Sequence, residues 1–124
     1  MPDSFLKGRM RSVGIALRGL VSLFRSEPNM QVHALAALLV TGLGFLAELS
    51  PVEWILQNLA IGLVIGLEAI NTSIEELANK VESRQDPQIK RVKDYGAAAV
   101  VFAAVIALIT GGLLYIPRAL SLIS

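Results

Sequence analysis

Residues 68–76 read EAINTSIEE and lie in the second half of a long apolar stretch. Glu68, Asn71 and Glu75 follow one another at steps of three and four residues, so a helix presents all three on one face. An ionisable side chain inside an apolar helix is costly in a membrane, and such residues are functional candidates by default. The rest of the chain is therefore interpreted as placing this face at a membrane surface and supplying it with partners.

The composition indicates one membrane-embedded domain, residues 1–124. Of the 124 residues, 54% are hydrophobic, which is too apolar for an ordinary soluble domain of this size. The chain contains no cysteine, which excludes disulfides and thiolate metal sites. Its first residues, MPDSFLKGRMRS, lead into an amphipathic pattern, which argues against a cleaved signal peptide.

Residues 4–25 predict an amphipathic helix that lies in the plane of the membrane interface. Basic and apolar side chains form separate stripes, and such a helix suits the headgroup region of an anionic bilayer. A core-facing helix of a soluble bundle is the alternative. The apolar stripe consists of Leu6, Met10, Val13, Leu17, Leu20 and Phe24, and the basic stripe of Lys7, Arg11, Arg18 and Arg25.

Three apolar segments of membrane-spanning length follow, and they predict transmembrane helices over 30–47, 54–79 and 95–116. Pro117 and Arg118 are expected to end the third span. The polar segment 80–94 is predicted as a loop whose ends can be helical. The fold class expected is an all-α membrane protein with one surface helix and three transmembrane helices.

The basic residues predict the orientation. Five of the eleven precede the first span, five more lie in the segment 80–94, and the turn at 48–53 has none. Loops rich in lysine and arginine stay in the cytoplasm. The N-terminus and the 80–94 loop are therefore expected on the cytoplasmic side, with the C-terminus outside.

This topology brings polar groups from distant segments to one interface. Glu27, Glu75, Lys93 and Asp94 are expected at the same level, with Glu68 about 10 Å deeper along its helix. Two carboxylates can share a magnesium ion with phosphate oxygens, a lysine can neutralise phosphate charge, and a buried carboxylate can accept a proton. The residues alone predict a polar site at the inner leaflet, and they do not name ATP.

The segments 68–75 and 93–100 resemble the prokaryotic integral-membrane diacylglycerol kinase and undecaprenol kinase family. The similarity extends over nearly the whole chain, because the surface helix, the entry to the first span and the closing motif also fit. These further matches are Arg11-Ser12, Gly14, Gly19, the segment 27–33 and the segment 114–117.

The resemblance implies a homotrimer of three-span subunits in the bacterial cytoplasmic (inner) membrane, with active sites between neighbouring subunits. ATP with Mg²⁺ would phosphorylate the hydroxyl of a membrane lipid at the cytoplasmic leaflet, and no nucleic acid takes part. Glu68 matches the general base, while Glu27 and Glu75 match the carboxylates that hold the metal and ATP. The other ATP-binding positions implied are Asn71, Arg84, Gln85, Asp86, Lys93 and Asp94.

Three further positions qualify this resemblance. The family usually carries an aspartate where this chain has Asn79, and the asparagine removes a negative charge near the metal. Glu76 or Glu82 could compensate for this loss. Asn29 and His33 resemble the undecaprenol kinase branch, although the sequence does not decide between undecaprenol and diacylglycerol. The small residues of the third span, including Gly96, favour close helix packing.

Less specific interpretations stay open beside the kinase. Glu68 could be a structural intramembrane carboxylate paired with an arginine or lysine from a neighbour, and Glu27 could simply be an acid favoured at a helix N-terminus. A transport subunit would use a lone intramembrane carboxylate but would not need Glu27, Glu75 and Lys93 at the inner face. A non-catalytic scaffold would tolerate alanine at all of these positions.

Overall fold

Four helices account for nearly all of the chain in the computed structural model, which describes residues 2–124, with side chains from residue 4 onward. Helix α1 spans Pro2–Ser26, α2 Pro28–Leu46, α3 Pro51–Val81 and α4 Pro87–Ile123. No strand occurs among these residues. The predicted all-α class is confirmed, and α2, α3 and α4 are each long and apolar enough to cross a membrane.

Proline and capping residues begin the three long helices. Pro28, Pro51 and Pro87 each occupy the first turn of a helix, where a missing backbone N–H is harmless. At α3 the Ser50 hydroxyl accepts a hydrogen bond from the Glu53 backbone N–H at 3.2 Å, and the Ser50 N–H donates to the Glu53 carboxylate at 2.9 Å. This reciprocal pair satisfies two donors that the first turn leaves free.

The connection between α2 and α3 is a tight turn closed by backbone hydrogen bonds. The Leu49 N–H donates to the Gly44 carbonyl at 3.2 Å, and the Glu48 N–H donates to that of Phe45 at 3.3 Å. Glu48 has a φ of 53°, the left-handed conformation that this helix ending requires. So short a connection makes α2 and α3 antiparallel neighbours.

The predicted loop 80–94 is mostly helical. Helix α3 continues to Val81 and α4 begins at Pro87, so only residues 82–86 lie between them. The Asp86 carboxylate caps α4 by accepting from the backbone N–H groups of Gln88 at 2.8 Å and Ile89 at 3.0 Å. This cap allows the helix to start eight residues before the apolar run.

Helix α4 continues past Pro117 and Arg118, the residues predicted to end the third span, as far as Ile123. Proline removes one backbone donor from a helix interior. The Arg118 guanidinium donates one hydrogen bond to the Leu114 carbonyl of the same turn at 2.7 Å. The predicted transmembrane range 95–116 lies inside this longer helix.

The packing leaves apolar side chains outside and polar ones inside. The most extensive contact joins α3 and α4, while α2 packs on α3 and α1 on α2. Leu38 and Leu108 are more than two thirds exposed, as are many other large apolar residues. Such a surface needs lipid or further subunits to cover it, and the chain is an integral membrane protein. The buried polar residues all belong to α3, namely Gln57, Glu68, Asn71 and Thr72.

Candidate active site

Glu68 is a buried carboxylate in the middle of the bundle. Only 3% of the residue is exposed. Its ionisable neighbour is His33 of α2, whose Nε2 lies 3.9 Å from a Glu68 carboxylate oxygen, too far for a direct hydrogen bond. Among the described side chains, no lysine or arginine forms an ion pair with it. The single chain therefore gives no support to a structural ion pair at Glu68.

Asn71 and Glu75 continue the same face of α3 by one and two turns. The Asn71 side-chain N–H group donates to the Glu75 carboxylate at 3.5 Å. Asn71 is buried, whereas Glu75 is exposed at the end of the face. The spacing that predicts a shared face thus places the Asn71 carboxamide against the Glu75 carboxylate.

Lys93 and Asp94 project from the first turns of α4 in different directions. The Lys93 ammonium donates to the Asn79 side-chain oxygen and so joins α4 to α3. Asp94 instead pairs with Lys90 at 2.6 Å, one turn away on the exposed side of α4. The structure therefore connects Lys93 with Asn79 of α3, and it connects Asp94 with Lys90 of its own helix.

Glu27 lies between α1 and α2 and lines a cleft against α3. Thr72, Ser73 and Glu76 form the α3 side of this cleft, and Glu75 is not part of its lining. Among the residues that the structure describes, no three acidic or histidine side chains are close enough to hold a metal together. Within one chain, Glu27 shares its cleft with Glu76 and not with Glu75.

The residues of the α3–α4 connection line a separate polar cleft. Arg84, Gln85 and Asp86 border it together with Lys90 and Lys93. The Arg84 guanidinium pairs with the Glu82 carboxylate at 3.1 Å and is otherwise exposed. The Asp86 carboxylate is occupied by the cap of α4, which gives it a structural role that sequence reasoning missed. The cap could have been anticipated from the Asp86-Pro87 pair.

A groove between α2, α3 and α4 starts at His33 and runs along the bundle. It has a volume of about 290 Å³ and ends at Gln57 and Tyr115, whose side chains hydrogen-bond to each other. Sequence reasoning did not single out these two residues, because their pairing spans 58 positions in the chain. The small residues of its walls are Ala36, Ala37, Ala60, Ala104, Ala107 and Gly111.

Comparison with known proteins identifies the family. The sequence model of the prokaryotic diacylglycerol kinase family matches residues 14–115. The undecaprenol kinase of Bacillus subtilis (strain 168) is 42% identical over 101 residues, which cover 82% of each chain. The diacylglycerol kinase of Haemophilus influenzae is 27% identical over 107 residues, 86% of this chain and 91% of that one. The resemblance is confirmed: the chain belongs to the prokaryotic diacylglycerol kinase family of membrane lipid kinases.

Proposed function

We propose that this protein transfers the γ-phosphate of ATP, with Mg²⁺, to the hydroxyl of a membrane lipid at the cytoplasmic leaflet. The observation that carries the proposal is Glu68, a buried carboxylate with which no lysine or arginine of the described residues forms an ion pair. It shares a helical face with Asn71 and Glu75 in a chain of a lipid kinase family. A transport subunit or a scaffold would not require this whole set.

Glu68 would act as the general base. The lipid hydroxyl oxygen attacks the γ-phosphorus, ADP leaves, and the Glu68 carboxylate takes the hydroxyl proton. His33 lies beside that carboxylate, with its Nε2 3.9 Å from a Glu68 oxygen. The apolar groove that begins at His33 offers a surface beside Glu68 for the hydrocarbon chain of the lipid.

The nucleotide would bind at the exposed end of the same face. Magnesium commonly takes one or two protein carboxylates together with phosphate oxygens, so Glu75 and Glu27 fit as its protein ligands. When bound, the ion supplies positive charge that neutralises the phosphates. Lys93 would add a further positive charge, and Arg84, Gln85 and Asp94 would contact the rest of the nucleotide.

A neighbouring subunit would complete this metal site. Glu27 lines a cleft with Glu76 in its own chain, while Glu75 lies outside that lining. A homotrimer in which Glu27 of one subunit meets Glu75 of the next would bring two carboxylates to one ion. The proposed assembly is therefore part of the mechanism and not only of the stability.

Undecaprenol is the acceptor that we propose as preferred. A relative that is 42% identical is named undecaprenol kinase, whereas relatives named diacylglycerol kinase are 26% to 30% identical. Asn29 and His33 support the same choice. The basic residues of α1 and of the segment 80–94 support a cytoplasmic N-terminus and a place in the bacterial cytoplasmic membrane.

A radiolabelled ATP assay tests the proposal. Purified protein in mixed micelles with Mg²⁺ receives undecaprenol or diacylglycerol, and we expect faster transfer of label to undecaprenol. Glu68→Gln should lower turnover by about 10²–10⁴-fold, the usual contribution of a general base, without dissociating the oligomer. Glu48→Gln, at the exposed turn between α2 and α3, is the matched control and should keep wild-type activity.

Two results would contradict the proposal. Full activity of Glu68→Gln would remove the general-base assignment. Transfer to neither lipid by a folded wild-type oligomer would favour the transport or scaffold function.

A further inference from the structure

Gly96 is buried near the beginning of α4, where this helix meets α3 beside Asn71. A Cβ atom built on Gly96 would overlap the Asn71 side-chain oxygen, and it would lie 3.4 Å from Asn71 Cγ and 3.7 Å from Ile74 Cδ1. As long as Asn71 keeps its orientation, only glycine fits at position 96. Close packing was expected of the small residues in α4, but here the space is taken by a polar atom of the candidate site.

The two ends of the Asn71 carboxamide have different surroundings. Its nitrogen donates to the Glu75 carboxylate at 3.5 Å. Its oxygen is buried and accepts no hydrogen bond from the residues that the structure describes. The missing Cβ of Gly96 would point at this oxygen, so the oxygen lies against the Gly96 backbone with no side chain between them.

This arrangement fixes which way the carboxamide faces. Turning it over would bring its oxygen against the Glu75 carboxylate, where both atoms carry negative charge and neither has a proton to donate. The Gly96 backbone accommodates the oxygen, and the nitrogen then faces Glu75. The orientation of the Glu75 carboxylate therefore depends on the absence of a side chain at position 96.

We infer that Gly96 is a positioning residue for the lipid kinase reaction and acts through Asn71 on Glu75. It touches no substrate. By admitting the Asn71 oxygen, it directs the Asn71 nitrogen to the carboxylate that would hold the nucleotide's metal ion. The inference rests on the proposed role of Glu75 and adds a residue that the proposed function does not assign.

Gly96→Ala tests this inference because the atom that its methyl group meets is the tip of a side chain. The carboxamide can rotate away, so the helices stay in place and the protein still folds. We expect kcat/KM for the nucleotide to fall about tenfold or more, to the level of Asn71→Ala, with KM for the lipid unchanged. Gly112→Ala on the same helix is the control, since its Cβ would meet only Ile116 Cδ1 at an ordinary 3.5 Å.

A double variant separates positioning from general damage. If Gly96 acts through Asn71, then Gly96→Ala adds no further loss when Asn71→Ala is already present. Losses that multiply in the double variant would overturn the inference, because they would show an independent effect of the methyl group on helix packing. Wild-type kinetics in Gly96→Ala would overturn it as well.

Side-chain NMR provides a measurement that does not depend on activity. The chain has four asparagines, at positions 29, 58, 71 and 79, so asparagine labelled with ¹⁵N gives few amide signals, and Asn71→Ala identifies its own. We expect Gly96→Ala to shift the Asn71 signal and Gly112→Ala to leave it unchanged. An unshifted signal overturns the inference even if the kinase assay succeeds. A shifted signal in a protein that phosphorylates no lipid would support the contact and count against the proposed function alone.

Discussion

Asn79 is the position at which the resemblance leads one to expect an aspartate, and the structure shows which contact the asparagine makes. The Lys93 ammonium donates to the Asn79 oxygen across the α3–α4 interface. A carboxamide keeps this hydrogen bond but leaves the lysine charge uncompensated. Lys93 is therefore held in place with its positive charge available to a phosphate group.

Asn79→Asp is expected to weaken nucleotide binding. The new carboxylate would pair with Lys93 and reduce its attraction for phosphate, raising KM for ATP by about fivefold, in the range of a partly exposed ion pair, with KM for the lipid unchanged. Steady-state kinetics with each substrate varied in turn measures both constants. Asn79→Ala, which removes the hydrogen bond without adding charge, separates the two contributions. A lower KM for ATP in Asn79→Asp would show that the added carboxylate assists the metal instead.

The residues of the candidate site differ in how far the sequence predicts them. The spacing of Glu68, Asn71 and Glu75 predicts a shared face, because helix geometry fixes which side chains are neighbours along one element. The approach of His33 to Glu68 and of Gly96 to Asn71 depends on how α2 and α4 pack against α3. Contacts between separate helices follow from their relative rotation, which a periodic pattern does not contain.

At the scale of helices, a second polar cluster joins the ends of α2, α3 and α4 far along the chain from Glu75. Arg118 donates to both Glu53 carboxylate oxygens, at 2.8 and 2.7 Å, and to the Ala47 carbonyl at 3.2 Å. Gln57 donates to the Val40 carbonyl at 3.1 Å. This cluster connects the three spans at one end and leaves the other end to the candidate site.

Arg118→Leu is expected to lower the thermal unfolding midpoint by several degrees without changing kcat of the folded protein. The substitution removes the donors to Glu53 and Ala47 while leaving Glu68 and Glu75 untouched. Thermal unfolding in detergent and kinase assays well below the midpoint measure the two effects. Arg118→Lys keeps the charge but loses the fork of parallel donors, so its midpoint should fall between those of wild type and Arg118→Leu. A midpoint equal to wild type in Arg118→Leu would contradict this role.

At helix ends, capping and long-range hydrogen bonds can outweigh the local sequence pattern. Apolar runs predict three helices that are long enough to cross a membrane, because a span must cover about the thickness of a bilayer. The Asp86-Pro87 pair is typical of a helix start, whereas the polar composition of the segment 80–94 predicts a loop whose ends can be helical. Pro117 usually interrupts a helix, and the long-range bonds of Arg118 that accompany its continuation are absent from any local pattern.

At the scale of the whole molecule, the described residues of one chain do not bring all the carboxylates of the candidate site together. Its exterior is largely apolar, and Glu27 lines a cleft to which Glu75 does not belong. The three long apolar helices and the shared face of Glu68, Asn71 and Glu75 follow from the sequence, whereas the surfaces that the proposed neighbouring subunits would supply do not.

Mixed oligomers test whether the site is shared between subunits. Glu27→Gln and Glu68→Gln are each expected to be inactive alone. Unfolded and reassembled together in equal amounts, they should recover about one quarter of wild-type activity. Half of the sites would receive an intact Glu68, and half of those an intact Glu27 from the neighbouring subunit of a closed ring.

The control for this experiment mixes the two proteins without reassembly, which should give no recovery. Continued inactivity after reassembly would contradict a shared site and place Glu27 and Glu68 in the same chain's active site.

The short connection between α3 and α4 has a consequence for the energetics of nucleotide binding. Within the segment 80–94, only residues 82–86 lie outside helices. Lys90 and Lys93 therefore project from a backbone that is already ordered. Fixing one flexible residue costs roughly 1–2 kcal/mol of conformational entropy, and a loop covering all of 80–94 would impose this cost on many more residues. A ligand that arrives at this end of the bundle therefore loses little of its binding free energy to ordering the protein.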